Sequence, residues 1–265
     1  MNKFGLIGHP IAHSLSPALF KAAYEGRFTY DLIEGNDFLT SYQKFLDEYK
    51  AINVTAPFKE DAFRKADMAT RECQAIGAAN ILYKGDDGKI IADNSDHLGV
   101  INAVKDAIPA GIKIKPTALI VGCGGAAKAA AYAMCSNGFR TTIINRNLQK
   151  AADFAQKLNE NPEFEVNAAP LEEFSKHFSE AGVIIYTLPI AIPALEHLST
   201  EGIKIILEAN YKDPAFTESH IKALQDVNSR LIYVSGREWL LHQAVGAYKT
   251  FTSKAPNIKN MRKVL

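Results

Sequence analysis

What the chain has little of narrows its class first. Its 265 residues include only three cysteines, Cys73, Cys123 and Cys135, an odd number outside any CxxC or Cys/His cluster. That excludes a disulfide framework, and no metal site is expected. No apolar run approaches the roughly 18 residues of a membrane helix, and the first five residues lead straight into a short apolar strand without a long hydrophobic leader. A cytoplasmic protein that does not enter the membrane is expected. An excess of one charge is also lacking. Thirty Lys and Arg against 29 Asp and Glu leave a formal charge of +1, far from the basic surplus of a nucleic-acid surface. Nucleic acid is therefore not an expected partner. There is no internal repeat, low-complexity tract or charged tail. What remains is ordinary globular composition, 47% hydrophobic and 22% charged, in a length that suits one large or two modest domains.

Short apolar runs alternate with helical patterns along the whole chain. Phe4 to Ile7, Tyr30 to Ile33 and Ile52 to Val54 read as strands, with helices near Pro17 to Tyr24 and Asp37 to Tyr49 between them. This βαβ rhythm predicts a parallel sheet. Ser16 before Pro17 reads as a helix start, the serine hydroxyl as cap and proline where no hydrogen bond is lost. After the Gly85 to Gly88 turn comes a short strand, Ile90 to Ala92, and a helix from about Asp96 to Ile108 along which the chain crosses to a second domain. A second series follows: strands at Ala118 to Val121, Thr141 to Ile144, near Val166, Val183 to Tyr186, Ile203 to Leu207 and Ile232 to Val234. Helices at Ala126 to Cys135 and Leu148 to Leu158 alternate with them, and Gly236 to Phe251 and Asn257 to Val264 close the chain.

Gly122-Cys123-Gly124-Gly125-Ala126-Ala127 lies directly after an apolar strand and opens an alanine-rich helix, the context in which a glycine fingerprint signals a dinucleotide. Gly122 and Gly124 let the backbone approach a pyrophosphate, which the exposed N–H groups and helix dipole stabilise. The second strand ends in Asn145-Arg146-Asn147, with no carboxylate to hold the ribose of NAD. Arg146 and Lys150 instead suit a 2′-phosphate, so NADP is the expected cofactor.

Other polar stretches interrupt the first half. His13-Ser14-Leu15-Ser16-Pro17 puts two hydroxyls beside a helix start; taken alone, it reads as one capping serine and one exposed serine. Asn53-Val54-Thr55-Ala56-Pro57-Phe58-Lys59-Glu60 is an apolar strand running out into polar groups, the usual exit toward a ligand crevice, although Lys59 could simply pair with Glu60 or Glu48 at the surface. Gly77-Ala78-Ala79-Asn80 and Asp93-Asn94-Ser95-Asp96 end in an amide and a carboxylate. A nicotinamide enzyme interconverting alcohol and ketone needs a general acid/base. Lys59 and Asp96 are the best candidates, with His9, His13 and His97 as rivals that spacing does not eliminate.

Together these segments resemble the shikimate dehydrogenase family. The matching stretches are residues 8–17, 53–60, 77–80, 93–96, 122–126 and 145–147, with Tyr211, Gly236 and His242-Gln243-Ala244 in the expected order. The resemblance implies an α/β protein with an N-terminal α/β substrate domain (residues 1–101), a Rossmann-type NADP-binding domain (102–236) and C-terminal helices returning to the first domain (237–265), with the site in the cleft between domains. It implies that Lys59 and Asp96 are the catalytic pair, and that Ser14, Ser16, Thr55, Asn80 and Gln243 hold the hydroxyls and carboxylate of shikimate with Tyr211 close by. Gly122, Gly124, Gly125, Ala126, Asn145, Arg146 and Lys150 would hold NADP(H), with Gly236 beside the nicotinamide. The implied reaction is reversible, NADPH-dependent reduction of 3-dehydroshikimate in aromatic amino-acid biosynthesis, by a monomer or homodimer. Ile81, Ser95, His97, Tyr186 to Leu188 and Trp239 depart from the family pattern. Two alternatives stand beside this reading: a quinate/shikimate enzyme of broader substrate or NAD use, and a non-catalytic dinucleotide sensor.

Overall fold

The computed structural model describes residues 3–265 apart from 193, 194, 196, 197 and 199. The chain forms two compact units, Met1–Gly99 with Leu241–Leu265, and Val100–Leu240. In chain order the first unit contains β1 (Lys3–Gly8), α1 (Ser16–Tyr24), β2 (Thr29–Glu34), α2 (Phe38–Glu48), β3 (Ala51–Val54), α3 (Lys59–Lys65), β4 (Met68–Ala69), α4 (Arg71–Ile76), β5 (Ile81–Lys84), β6 (Ile90–Asp93) and the start of α5 (Asp96–Ala107). The second contains the rest of α5, then β7 (Thr117–Val121), α6 (Gly125–Cys135), β8 (Arg140–Asn145), α7 (Leu148–Leu158), β9 (Val166–Pro170), α8 (Phe174–Glu180), β10 (Val183–Tyr186), β11 (Lys204–Glu208), α9 (Glu218–Val227) and β12 (Leu231–Val234). Most of α10 (Gly236–Thr252) and all of α11 (Ile258–Arg262) belong again to the first unit. Both unit boundaries fall inside helices, where no turn or linker in the sequence marks them.

The first unit is built on a six-stranded sheet in the order β2-β1-β3-β5-β6-β4. It is not the all-parallel sheet that the βαβ rhythm predicts, because β5 runs antiparallel to both β3 and β6. The reason is local: Gly88, at φ 80°, closes a tight turn after β5, so β6 returns as a hairpin instead of crossing over. One face is covered by α2, whose Phe38, Ser41, Tyr42 and Phe45 recur at helical spacing and are buried. Asp37 caps that helix, accepting from Thr40 N at 2.8 Å. Elsewhere, Phe4 stacks on Phe251 of α10 at 5.4 Å between ring centroids, and Tyr24 donates to Tyr248 O at 2.9 Å, which fastens the C-terminal helices to this unit.

The cap expected at Ser16 is not there. The N-cap position is Leu15, with no side-chain cap, and Ser16 is already helical and buried. Ser14 takes over instead: its Oγ accepts from Ser16 N at 3.2 Å, because the helix begins one residue earlier than a serine cap at 16 would require.

The second unit has all its strands parallel, in the order β12-β11-β10-β7-β8-β9. Read from β9, this is the doubly wound order of a dinucleotide-binding sheet, with its topological switch between β7 and β10. Such a sheet is covered on both faces, so its central strand β10 is apolar and buried at every position. Helix α6 is buried almost all round by its alanines, which lets it lie close against β7 and β8. Trp239 is 5% exposed and packs in the core of this unit, so one departure from the family pattern is a core residue.

Candidate active site

Strand register gathers the four polar segments of the first unit at one sheet edge. Parallel pairing sets Ile7 beside Val54, so β1 and β3 end together. Antiparallel pairing sets Ile81 beside both Asn53 and Asp93, so β5 begins where β3 and β6 end. Residues 9–16, 55–59, 80 and 94–96 therefore leave the sheet at the same side. Backbone bonds tie them: Thr55 N donates to Ile7 O at 2.8 Å, His9 N to Ala56 O at 3.1 Å and Val54 N to Asn80 O at 2.9 Å.

At this edge Lys59 Nζ donates to Asp96 Oδ2 at 2.5 Å, with side chains 14% and 6% exposed. The surface pairing with Glu60 or Glu48 does not occur; Glu48 pairs with Lys3, and Glu60 lies 4.0 Å from Arg64. Asp96 opens α5, where a carboxylate is favoured by the helix dipole. Its backbone N–H is held by Asn94 Oδ1 at 2.9 Å, and Asn94 Nδ2 donates to Ala78 O at 2.7 Å, which fixes the turn that aims the carboxylate. His9 lies 3.6 Å from Glu34, at the end of β2. His97 is half-buried, and burial lowers its pKa.

Asn80 is the centre of a second group. Its Nδ2 donates to Gln243 Oε1 at 3.0 Å and Ser95 Oγ at 3.1 Å, and its Oδ1 accepts from Ser95 N at 2.8 Å. Ser95 thus supplies the hydroxyl that its position needs, although the family pattern has threonine there. Ser14 Oγ donates to Ser16 Oγ at 3.1 Å, so neither serine is a simple exposed side chain.

Beneath these groups lie residues that sequence reasoning did not select. Tyr30 OH donates to Asn53 Oδ1 at 2.8 Å, and Asn53 Nδ2 donates to Asn80 O at 3.2 Å. Tyr248 OH donates to Ser16 O at 3.0 Å. Burial raises the pKa of both tyrosines, with the Ser16 contact opposing the shift, so both stay neutral donors. Asn53 stands inside the conspicuous Asn53 to Glu60 segment and could have been found there. Tyr30 gives no signal, because an aromatic residue in a strand is unremarkable.

In the second unit the glycine turn has the shape a pyrophosphate needs. Gly122 has φ 109°, and a side chain there would stand 2.5 Å from Thr187 Oγ1. Gly124 is the N-cap of α6, and a Cβ on it would meet nothing within 4 Å, which leaves bare backbone facing open space at a helix start. Gly125 and Ala126 begin that helix. Asn145 ends β8, and its Nδ2 donates to Asn147 O at 3.0 Å; Asn147 Oδ1 caps α7 by accepting from Lys150 N at 3.0 Å. Arg146 and Lys150 are exposed around this cap, and no carboxylate stands at 145–147. These residues fit a dinucleotide with a 2′-phosphate.

Tyr211 and Gly236 also belong to the second unit. Tyr211 sits in the loop after β11, which the buried Glu208 organises by accepting from Ala215 N, from Phe216 N at 3.3 Å and from Tyr233 OH at 2.8 Å. Burial raises the pKa of Glu208. Gly236 opens α10, where any side chain would collide with Ala209 O.

The family model described as the shikimate dehydrogenase substrate binding domain matches residues 6–82, and that of shikimate / quinate 5-dehydrogenase matches residues 110–210. A shikimate dehydrogenase (NADP(+)) from Caulobacter vibrioides is 30% identical over 268 residues, spanning 96% of this chain and 91% of its own. A shikimate 5-dehydrogenase from Thermus thermophilus, solved in complex with NADP(H) and shikimate, aligns over 100% of both chains with a TM-score of 0.80 and 26% identity. A quinate dehydrogenase from Corynebacterium glutamicum, solved with NAD, shares the fold at a TM-score of 0.82 and 23% identity. Motifs, strand order and relatives agree over nearly the whole length, and the chain belongs to the shikimate dehydrogenase family.

Proposed function

We propose that this protein catalyses the reversible, NADPH-dependent reduction of 3-dehydroshikimate to shikimate. The observation that carries the reading is the Lys59–Asp96 pair at 2.5 Å, held at the sheet edge where the hydroxyls and amides of Ser14, Ser16, Asn80 and Gln243 also collect. When bound, NADP(H) supplies the hydride in one direction and accepts it in the other. As the ketone carbon gains hydride, Lys59 delivers a proton to its oxygen, so that C=O becomes CH–OH; in oxidation the ammonium site takes that proton back. Asp96 orients the ammonium. The charge that develops on oxygen is largest in the transition state, so a cation fixed beforehand lowers the barrier more than it tightens substrate binding.

Ser14, Ser16, Thr55, Asn80 and Gln243 bind the hydroxyls and carboxylate of the substrate, and Tyr211 is a further substrate-binding residue. Gly122, Gly124, Gly125 and Ala126 receive the pyrophosphate, Asn145, Arg146 and Lys150 the 2′-phosphate end, and Gly236 leaves room for the nicotinamide. The direct test is turnover of the purified chain, followed at the nicotinamide absorbance, with shikimate or quinate and NADP⁺ or NAD⁺. Shikimate with NADP⁺ is expected to give the highest kcat/KM. Preference for quinate, preference for NAD⁺ or absence of turnover would overturn the reading.

A further inference from the structure

Between α6 and α7 the second unit carries a concavity of about 440 Å³, walled in part by Lys128, Asn147, Lys150, Phe154 and Lys157. Three ammonium groups around one concavity, one from α6 and two from α7, are a local concentration of positive charge in a chain of net charge +1. The same lining holds one carboxylate, that of Asp153, which accepts from Gln149 Nε2 at 2.6 Å, so the lining keeps an excess of positive charge. Lys128 is placed by its neighbour: its Nζ lies 5.5 Å from the centroid of the Phe154 ring, a cation–π contact that steers the ammonium toward α7.

Lys128 stands in the first turn of the helix after β7, and Lys150 in the first turn of the helix after β8. The carboxyl ends of those two strands are where this kind of sheet receives a dinucleotide and its adenosine ribose. A phosphate monoester carries about −1.5 to −2 charges at neutral pH, more than one exposed guanidinium compensates. We propose that Lys128 is a further cationic contact for the 2′-phosphate of NADP(H), and so a determinant of NADP over NAD. The proposal rests on the cofactor reading above. Lys157 provides an internal control, since it lies seven residues beyond Lys150, about 10 Å further along the helix axis and too far to share one phosphate.

The test is calorimetric titration of the full chain with adenosine 2′,5′-bisphosphate and with 5′-AMP. Lys128→Met keeps the stem over Phe154 and removes only the charge. It is expected to weaken the bisphosphate about three- to tenfold and 5′-AMP less than about twofold, the range of a partly exposed charged contact. KM for NADP⁺ should rise in parallel while KM for NAD⁺ does not; Lys128→Arg should restore both, and Lys157→Met should change neither. Equal weakening of the two nucleotides, or none, would overturn the role of Lys128. Arg146→Ala separates the two levels. If it discriminates between the nucleotides while Lys128→Met does not, the inference falls and the cofactor reading stands; if neither variant discriminates, both fall.

Discussion

Two ammonium groups, a half-buried one in the first unit and a buried one in the second, differ in how many of their protons the protein itself uses. Lys204 is 1% exposed and donates to the carbonyl oxygens of Phe178, Ser179 and Ala181 at 2.9, 2.9 and 2.7 Å. Its three protons are all taken up by the carbonyls at the C-terminal end of α8, which lack helical partners. Lys59 donates to Asp96 alone among the described residues, so its remaining donors face no protein acceptor. Position along the strands accounts for the contrast. Lys204 is the first residue of β11, at the amino edge of its sheet, whereas Lys59 follows the end of β3, at the carboxyl edge. A saturated cation holds a helix end in place; one held on a single side has capacity left for a ligand. The same contrast of edges separates the fold's supports from its candidate site in both units.

The most severe way to break this comparison is to remove the ammonium of Lys59. Lys59→Met should lower kcat by about 10² to 10⁴ with a much smaller change in shikimate KM. It also leaves the Asp96 carboxylate without its partner, a cost to stability. Lys59→Met/Asp96→Asn should regain thermal stability without regaining kcat, and its kcat should be little below that of the poorer single variant, because the two residues act on one step. Near-normal kcat in Lys59→Met would return attention to His13 and His97.

Lys204→Met should give the opposite pattern: a loss of about 2–4 kcal/mol of stability in urea unfolding, from three carbonyls left without donors, with kcat unchanged. Its pH dependence sharpens the point. Burial, reinforced by Lys115, lowers the Lys204 pKa from the ordinary 10.5 to about 8. The folded chain therefore binds fewer protons than the unfolded one in this window. The wild-type unfolding free energy, relative to Lys204→Met, should rise from about pH 8 to 10.5 and be flat below that range.

Arg146→Ala carries the comparison to the carboxyl edge of the second unit. It should weaken NADP⁺ binding by about ten- to a hundredfold and barely affect NAD⁺. Equal losses for both would mean that Arg146 supports the turn instead of the phosphate. The smallest expected effect is that of Ser14→Ala, about three- to tenfold in shikimate KM with kcat nearly intact, since a hydroxyl that binds ground state and transition state alike changes affinity only. A fall in kcat as large as that of Lys59→Met would remove the distinction between binding and proton-transfer groups at this edge.

Features set by neighbouring residues are legible in the sequence, whereas those set by distant partners are not. Helix α7 is readable to the residue, because Asn147 caps it and Ala151, Phe154, Ala155 and Leu158 form one apolar stripe. The glycine turn after β7 is readable because Gly122 and Gly124 are needed by backbone geometry and by ligand approach, both local requirements. The antiparallel β5 was missed, since four apolar residues before a turn carry no sign of which strand they will join. The polar support under Ser16 was missed for the same reason, as nothing near Tyr30 in the chain announces that its hydroxyl meets Asn53.

The sequence by itself thus determined the elements, the chemical groups available and the kind of cofactor that one turn can hold, because caps, turns and hydrophobic periodicity act over a few residues. Only the tertiary structure decided which groups meet. Lys59 and Asp96 are separated by 37 residues and Asn80 and Gln243 by 163, and each pair is brought together by strand register and by the return of α10. Those meetings depend on how whole elements bury their apolar faces against one another, a condition that no short stretch of sequence contains.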